Sequence, residues 1–151
     1  MKELDYLPFL CFLLLVASPA AAQEAVTSID ETIDEEFTKP THYGAREIGS
    51  LSKSDGRLRA GEFRDLYSFE GKAGDPLIIE LISEDFDPYL AVVSPSGKIL
   101  RNDDWGGTSA ARIQMRLIED GGYKVVVTSF RPGEMGGYLL RIKDQRIKIA
   151  E

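Results

Sequence analysis

The chain is predicted to be all-β, an antiparallel β-sandwich or jelly roll of about eight short strands. Three observations carry that expectation. From Arg46 onward apolar residues recur with period two rather than 3.6, the apolar runs are short, and nearly all are bounded by residues that favour turns. No apolar pattern of helical length interrupts them, and no internal repeat of 20–50 residues points to a solenoid or propeller.

The runs follow in order. A first strand is expected near Arg46–Leu51. In Asp65-Leu66-Tyr67-Ser68-Phe69, Tyr67 and Phe69 share one face, and in Leu77-Ile78-Ile79-Glu80-Leu81 the residues Leu77, Ile79 and Leu81 do. Further runs occupy 89–93, 99–101, 112–117, 123–128 and 138–142. Between them lie Gly74-Asp75-Pro76, Ser94-Pro95-Ser96-Gly97, Asp120-Gly121-Gly122 and Arg131-Pro132-Gly133, which supply the preset and positive φ angles of turns. Ile113, Met115 and Leu117 alternate with Arg112, Gln114 and Arg116, as expected of a strand with one face in the core and one in water. Val125-Val126-Val127 and Leu77-Ile78-Ile79 are apolar on both faces. Those two are expected to lie centrally, or to have an outer face covered by the N-terminal arm.

The ends of the chain carry address and charge. Residues 7–16 are almost wholly apolar, and Ser18-Pro19-Ala20-Ala21-Ala22 follows with an Ala-x-Ala pattern, so residues 1–22 read as a signal peptide cleaved after Ala22. Lys2 is offset there by Glu3 and Asp5. A membrane anchor is the weaker reading, because the run is shorter than the ~20 residues of a spanning helix. The chain's one cysteine, Cys11, falls inside this segment, so the exported form must rest on its core or on a bound metal. Residues 23–44 form an acidic, flexible arm, 45–143 the sandwich, and 144–151 a C-terminal tail. Of the formal net charge of −7, the arm holds most: Glu24, Asp30, Glu31, Asp34, Glu35 and Glu36 stand against Lys39. Ser28 with Glu31 has the form of a helix capping box, so a short helix over 28–37 is the alternative to a solvated linker. A near-neutral domain with an acidic arm excludes a nucleic-acid footprint and an anionic-lipid surface.

The motifs, taken in order, resemble the bacterial pre-peptidase C-terminal domain family. Asp65-Leu66-Tyr67-Ser68-Phe69 matches its Asp-x-Tyr-x-Phe strand, and Gly74-Asp75 its turn into an apolar strand. Asp87-Pro88-Tyr89-Leu90 and Pro95-Ser96-Gly97 match its Asp-Pro-x-Leu hairpin, Asn102-Asp103-Asp104 its Asn-Asp-Asp loop, and Gly122-Tyr123 and Gly137-Tyr138-Leu139-Leu140 its closing strands. The resemblance covers residues 45–143. It implies a non-catalytic module of secreted or periplasmic bacterial proteins, usually appended to peptidases, and some such modules bind calcium. Trp105, ahead of Gly106-Gly107, departs from the family's small polar loop residues.

Two candidate sites follow. Asp85, Asp87, Asn102, Asp103 and Asp104 offer hard oxygen ligands from loops that a hairpin returns to one end of the sandwich, which suits Ca²⁺; the same residues also serve as turn formers. Trp105, with Asp104 beside it, offers a flat ring to a sugar or a partner protein, or else a lid on the core. Catalysis is excluded on inventory. His42 is the single histidine, and neither Gly-x-Ser-x-Gly nor His-Glu-x-x-His occurs. The expected function is binding of an extracellular or periplasmic protein or polysaccharide. The alternatives are a calcium-dependent structural or assembly module, and an accessory partner of a separately encoded secreted peptidase.

Overall fold

The computed structural model describes residues 38–102, 106 and 109–146. The signal segment, residues 23–37 of the arm, Asp103, Asp104, Trp105 and the last residues of the tail lie outside the described residues.

Ten strands are present among the described residues: β1 (Thr38–Pro40), β2 (Arg46–Leu51), β3 (Gly56–Arg57), β4 (Phe63–Gly71), β5 (Pro76–Ile82), β6 (Pro88–Val93), β7 (Ile99–Asn102), β8 (Ala110–Arg116), β9 (Gly121–Ser129) and β10 (Gly136–Asp144). The eight expected strands are all there. The two additional ones, β1 and β3, span three and two residues, too few to leave a periodic signature. One sheet has the order β1-β4-β9-β6-β7 with β3 also on β4, and the other has the order β2-β10-β5-β8. Every pairing is antiparallel except that of β1 with β4, in which Lys39 lies opposite Tyr67. The structure is a two-sheet β-sandwich. Residues 38–40, at the end of the segment read as a flexible arm, are thus an edge strand.

Alternation decides what each sheet buries. Leu77, Ile79 and Leu81 of β5 point inward and are 0% exposed, facing Tyr123, Val125 and Val127 of β9, which are also fully buried. Each such aliphatic side chain contributes about 1.5–3 kcal/mol on leaving water. The interior positions of β9 and β5 agree with their apolar composition on both faces. Phe69 stacks on Tyr123 at 5.5 Å between centroids, and Tyr43 meets Phe69 edge-on at 5.7 Å. Gly49 faces Tyr138 across the β2–β10 pair, and a Cβ there would stand 2.3 Å from the phenol ring. Glycine at that position leaves the ring its place between the sheets.

Candidate functional site

The loop end holds the residues singled out for calcium. Asn102 closes β7 opposite Leu90, three residues beyond Asp87, so the hairpin brings these two to one end of the sandwich as its connectivity requires. The backbone carbonyl of Asp87 accepts from the Phe130 N–H at 2.8 Å. Asp85 has a structural engagement: its Oδ2 accepts the Gly137 N–H at 2.7 Å, and Ser83 Oγ accepts the Asp85 N–H at 3.1 Å. A Cβ on Gly136, whose φ is +138°, would collide with Asp85 at 2.2 Å. Asp85 therefore pins the start of β10 with one oxygen. Among the described residues, no group of three histidine, cysteine or acidic side chains converges on a point that could hold a metal. A calcium site would have to draw on Asp103 and Asp104, which lie outside the described residues with Trp105.

The interior contains a polar assembly. Asp65 and Tyr67 sit two residues apart on β4 and therefore share the inward face, where Tyr138 reaches them from β10. The Tyr138 hydroxyl donates to Asp65 Oδ2 and stands 2.8 Å from the Tyr67 hydroxyl, while Lys39 Nζ from β1 donates to Asp65 Oδ1 at 2.7 Å. Burial, then the hydrogen bonds to Asp65 and Tyr67, push the Tyr138 phenol well above its ordinary range; burial likewise raises Tyr67. Burial pulls the Lys39 ammonium down, but its hydrogen bond and charge attraction to Asp65 more than offset this and leave it raised. These groups hold their protons and tie the two sheets and β1 together. The arrangement is structural: a carboxylate kept satisfied in a dry setting.

The outer face of the four-stranded sheet is the surface that reading along the chain misses. Register aligns two rows across its strands. Ile48, Leu139, Ile82 and Ala110 stand in one row, and Arg46, Arg141, Glu80 and Arg112 in the next. Ile48 is 82% exposed. Glu80 is buried at the centre, with Lys143 Nζ at 2.7 Å and Arg141 and Arg112 each at 3.9 Å. One carboxylate thus stands among three cations, with Arg46 beyond Arg141 on β2 and Arg116 further along β8. Beside the row, a groove of about 770 Å³ is lined by Ala45, Arg46, Ile78, Arg141 and Lys143, together with Asp144, whose carboxylate is engaged by Arg146. In a chain of net charge −7, this is a local positive field beside an apolar stripe. The signal lies in cross-strand register, which no local run of sequence displays.

Comparison with known proteins accords with this architecture. Residues 63–129, from β4 through β9, match the family described as the bacterial pre-peptidase C-terminal domain. The structure is similar to the pre-peptidase C-terminal domain of a collagenase from Bacillus anthracis, with 17% identity over 70% of this chain and 94% of that one, at a TM-score of 0.57. It is also similar to PliG of Aeromonas hydrophila, a periplasmic inhibitor of g-type lysozyme, with 21% identity over 72% and 99% of the two chains, at a TM-score of 0.50. At these identities the likeness shows the fold. No curated protein sequence matches the chain. Arg46, Arg141 and Lys143 stand on β2 and β10, outside the matched span, so much of the cationic face lies beyond the stretch that the family describes. Residues 63–129 are thus similar to a bacterial pre-peptidase C-terminal domain.

Proposed function

We propose that the protein is an exported, non-catalytic β-sandwich module that binds an acidic protein surface, and that the outer face of its four-stranded sheet makes the contact. The observation that carries this reading is the pair of aligned rows: Arg46, Arg141 and Arg112 around Glu80, beside Ile48, Leu139 and Ile82. Arginine forks suit carboxylates bidentately, and exposed Ile48 with half-buried Leu139 and Ile82 beside it gives a partner's apolar side chains a place to leave water. Among the described residues no aromatic ring lies on this face, so it lacks the stacking platform that a sugar polymer would use. The similarity to an inhibitor of g-type lysozyme and to a collagenase domain supports a role beside another secreted protein. A separately encoded peptidase is one such partner. Export rests on the signal-like residues 1–22.

The test is capture of partners from the secreted and periplasmic fractions, followed by titration of the identified protein by calorimetry. Arg112→Glu with Arg141→Glu is expected to weaken binding at least about tenfold, and the wild-type affinity to fall as salt rises. Full affinity in that variant, with loss in Trp105→Ala, would move the contact to the loop end and overturn the reading. A second reading, calcium-dependent ordering of the loops, draws on Asp87 and Asn102 sharing one end of the sandwich. Calcium at millimolar concentration should then raise the melting temperature, because a ligand of the native state alone must stabilise it; an unchanged melting temperature removes it.

A further inference from the structure

β2 is an edge of the four-stranded sheet, with β10 on one side and, among the described residues, no strand on the other. Its pairing decides which backbone groups face the open side. The Ile142 N–H donates to the Ala45 carbonyl at 3.1 Å, and the Ile142 carbonyl accepts the Gly44 N–H at 2.7 Å, so Ile142 directs both groups toward the β2 side. Alternation along β10 turns Leu140 and Tyr138 the same way, toward Glu47 and Gly49. The N–H and C=O groups of Arg46, Ile48 and Ser50 therefore point away from β10, along the open edge. Their side chains stand on the outer face, and all three are exposed. β2 carries neither proline nor lysine, the residues that commonly blunt an edge. Its one acid, Glu47, accepts from the Thr41 hydroxyl at 3.0 Å.

We propose that this edge pairs with the same edge of a second copy of the chain, antiparallel across a two-fold axis, joining two four-stranded sheets into one continuous sheet. The residues of β2 select the register. Both members of a hydrogen-bonded pair must be drawn from Arg46, Ile48 and Ser50. Placing Ile48 opposite Ile48 of the second copy sets Arg46 opposite Ser50 and Glu47 opposite Gly49. Moving the axis one residue toward the start of β2 sets Glu47 against Glu47, which repels, and one residue toward its end sets Glu47 against buried Leu51. With Ile48 on the axis, the two Arg46 side chains lie about 14 Å apart along the strands, beyond the screening length of about 8–10 Å. About six backbone hydrogen bonds form, and the two exposed isoleucines cover one another as a cross-strand pair. The apolar row then runs through the axis, with Leu139 and Ile82 of each copy extending it. This pairing does not depend on an acidic partner, since it uses the backbone of β2, and its absence would leave that reading intact.

The chain from Gln23, the form expected after signal cleavage, has no cysteine, so introduced cysteines report the register. Cα atoms of a hydrogen-bonded pair lie about 5.5 Å apart, within reach of a disulfide. Under mild oxidation Ile48→Cys is expected to link into a covalent dimer at least about tenfold faster than Ser50→Cys, and Arg46→Cys combined with Ser50→Cys should link again. An edge this short is a small interface, so association on the order of 100 μM is expected. Sedimentation of the unsubstituted chain to about tenfold above that concentration should show a reversible monomer–dimer equilibrium. Ser50→Pro removes one open-edge N–H without touching the bonds to β10, and Ile48→Lys sets lysine against lysine. Both should sediment as monomers throughout and unfold at the temperature of the dilute unsubstituted chain. A chain that stays monomeric, a dimer that persists in both variants, or Ser50→Cys linking as fast as Ile48→Cys would each overturn the proposal.

Discussion

Val126 and Ile48 are both aliphatic residues directed away from the core of the same sandwich, yet Val126 is 0% exposed and Ile48 is 82%. Beside Val126 the cross-strand neighbours Leu66 and Ala91 are apolar and buried, with Arg101 at the end of that row and Lys124 and Arg64 in the rows on either side. Around Ile48 the outward positions of the four-stranded sheet turn cationic one row away. Alternation with period two separates inside from outside, but it does not separate a covered outside from an open one. Both faces set cations one row from an apolar row, so cross-strand composition does not make that distinction either; the burial of the individual side chains does.

The largest expected effect breaks this comparison directly. Val126→Asp places a carboxylate in a sealed apolar patch and should destabilise the fold by about 3–5 kcal/mol, as an uncompensated buried charge does. Ile48→Asp should stay within about 0.5 kcal/mol of wild type, as ordinary surface substitutions do. Urea midpoints at equal slope give both values. Equal midpoints for the two variants would show that the faces do not differ in cover.

Between the two faces lies the polar assembly that holds them in register, and its loss should rank next. Tyr138→Phe removes the donor to Asp65 Oδ2 and leaves part of a buried carboxylate without its partner, for a cost of about 2 kcal/mol. Tyr67→Phe, which spares the bond to Asp65, should cost about 1 kcal/mol. The pH dependence sharpens the assignment. The phenols of Tyr138, Tyr67 and Tyr43 all lie above the ordinary tyrosine value of 10.0, Tyr43 pushed up to about 12 by burial and by its hydrogen bond to Asp75. A raised phenol keeps its proton in the folded chain where the unfolded chain has lost it. Its contribution to stability is therefore complete below pH 10 and is lost as pH rises beyond that value. Thermal melts between pH 9 and 12 should show this decline, and the decline should be shallower in Tyr138→Phe.

Much of the fold was legible because it is written in local alternation and turn chemistry. Alternation put Tyr67 and Phe69 on one face, and the motifs put Tyr123 and Tyr138 at strand starts; all four are buried. The runs 77–79 and 125–127 announced interior strands, and β5 and β9 are interior. β1 was not legible. It is a three-residue parallel edge whose place depends on Lys39 reaching Asp65, 26 positions away. The cationic face was hidden for a related reason. Arg46, Arg112 and Arg141 become neighbours through the pairings of β2, β10, β5 and β8, and a shift of one residue in any pairing would scatter them. Asp85, an acidic residue before a strand, suits a metal loop on sequence alone; its second engagement, in which Oδ2 accepts from the Gly137 N–H 52 positions away, is visible only in the fold.

The smallest effect concerns the open face and carries a sign that a packing face would not show. Glu80→Gln keeps the side chain's shape and removes the one carboxylate among Lys143, Arg141 and Arg112. With the cations left to repel one another, stability should fall by about 1 kcal/mol, and the loss should shrink toward zero in 1 M salt, where the screening length is about 3 Å. The same substitution adds one unit of positive charge to the face, so affinity for an acidic partner should rise while stability falls. On the six-stranded sheet a damaging substitution can only weaken both. Opposite movement of melting temperature and affinity in Glu80→Gln would therefore mark the four-stranded face as a contact surface, and parallel movement would mark its charges as scaffolding.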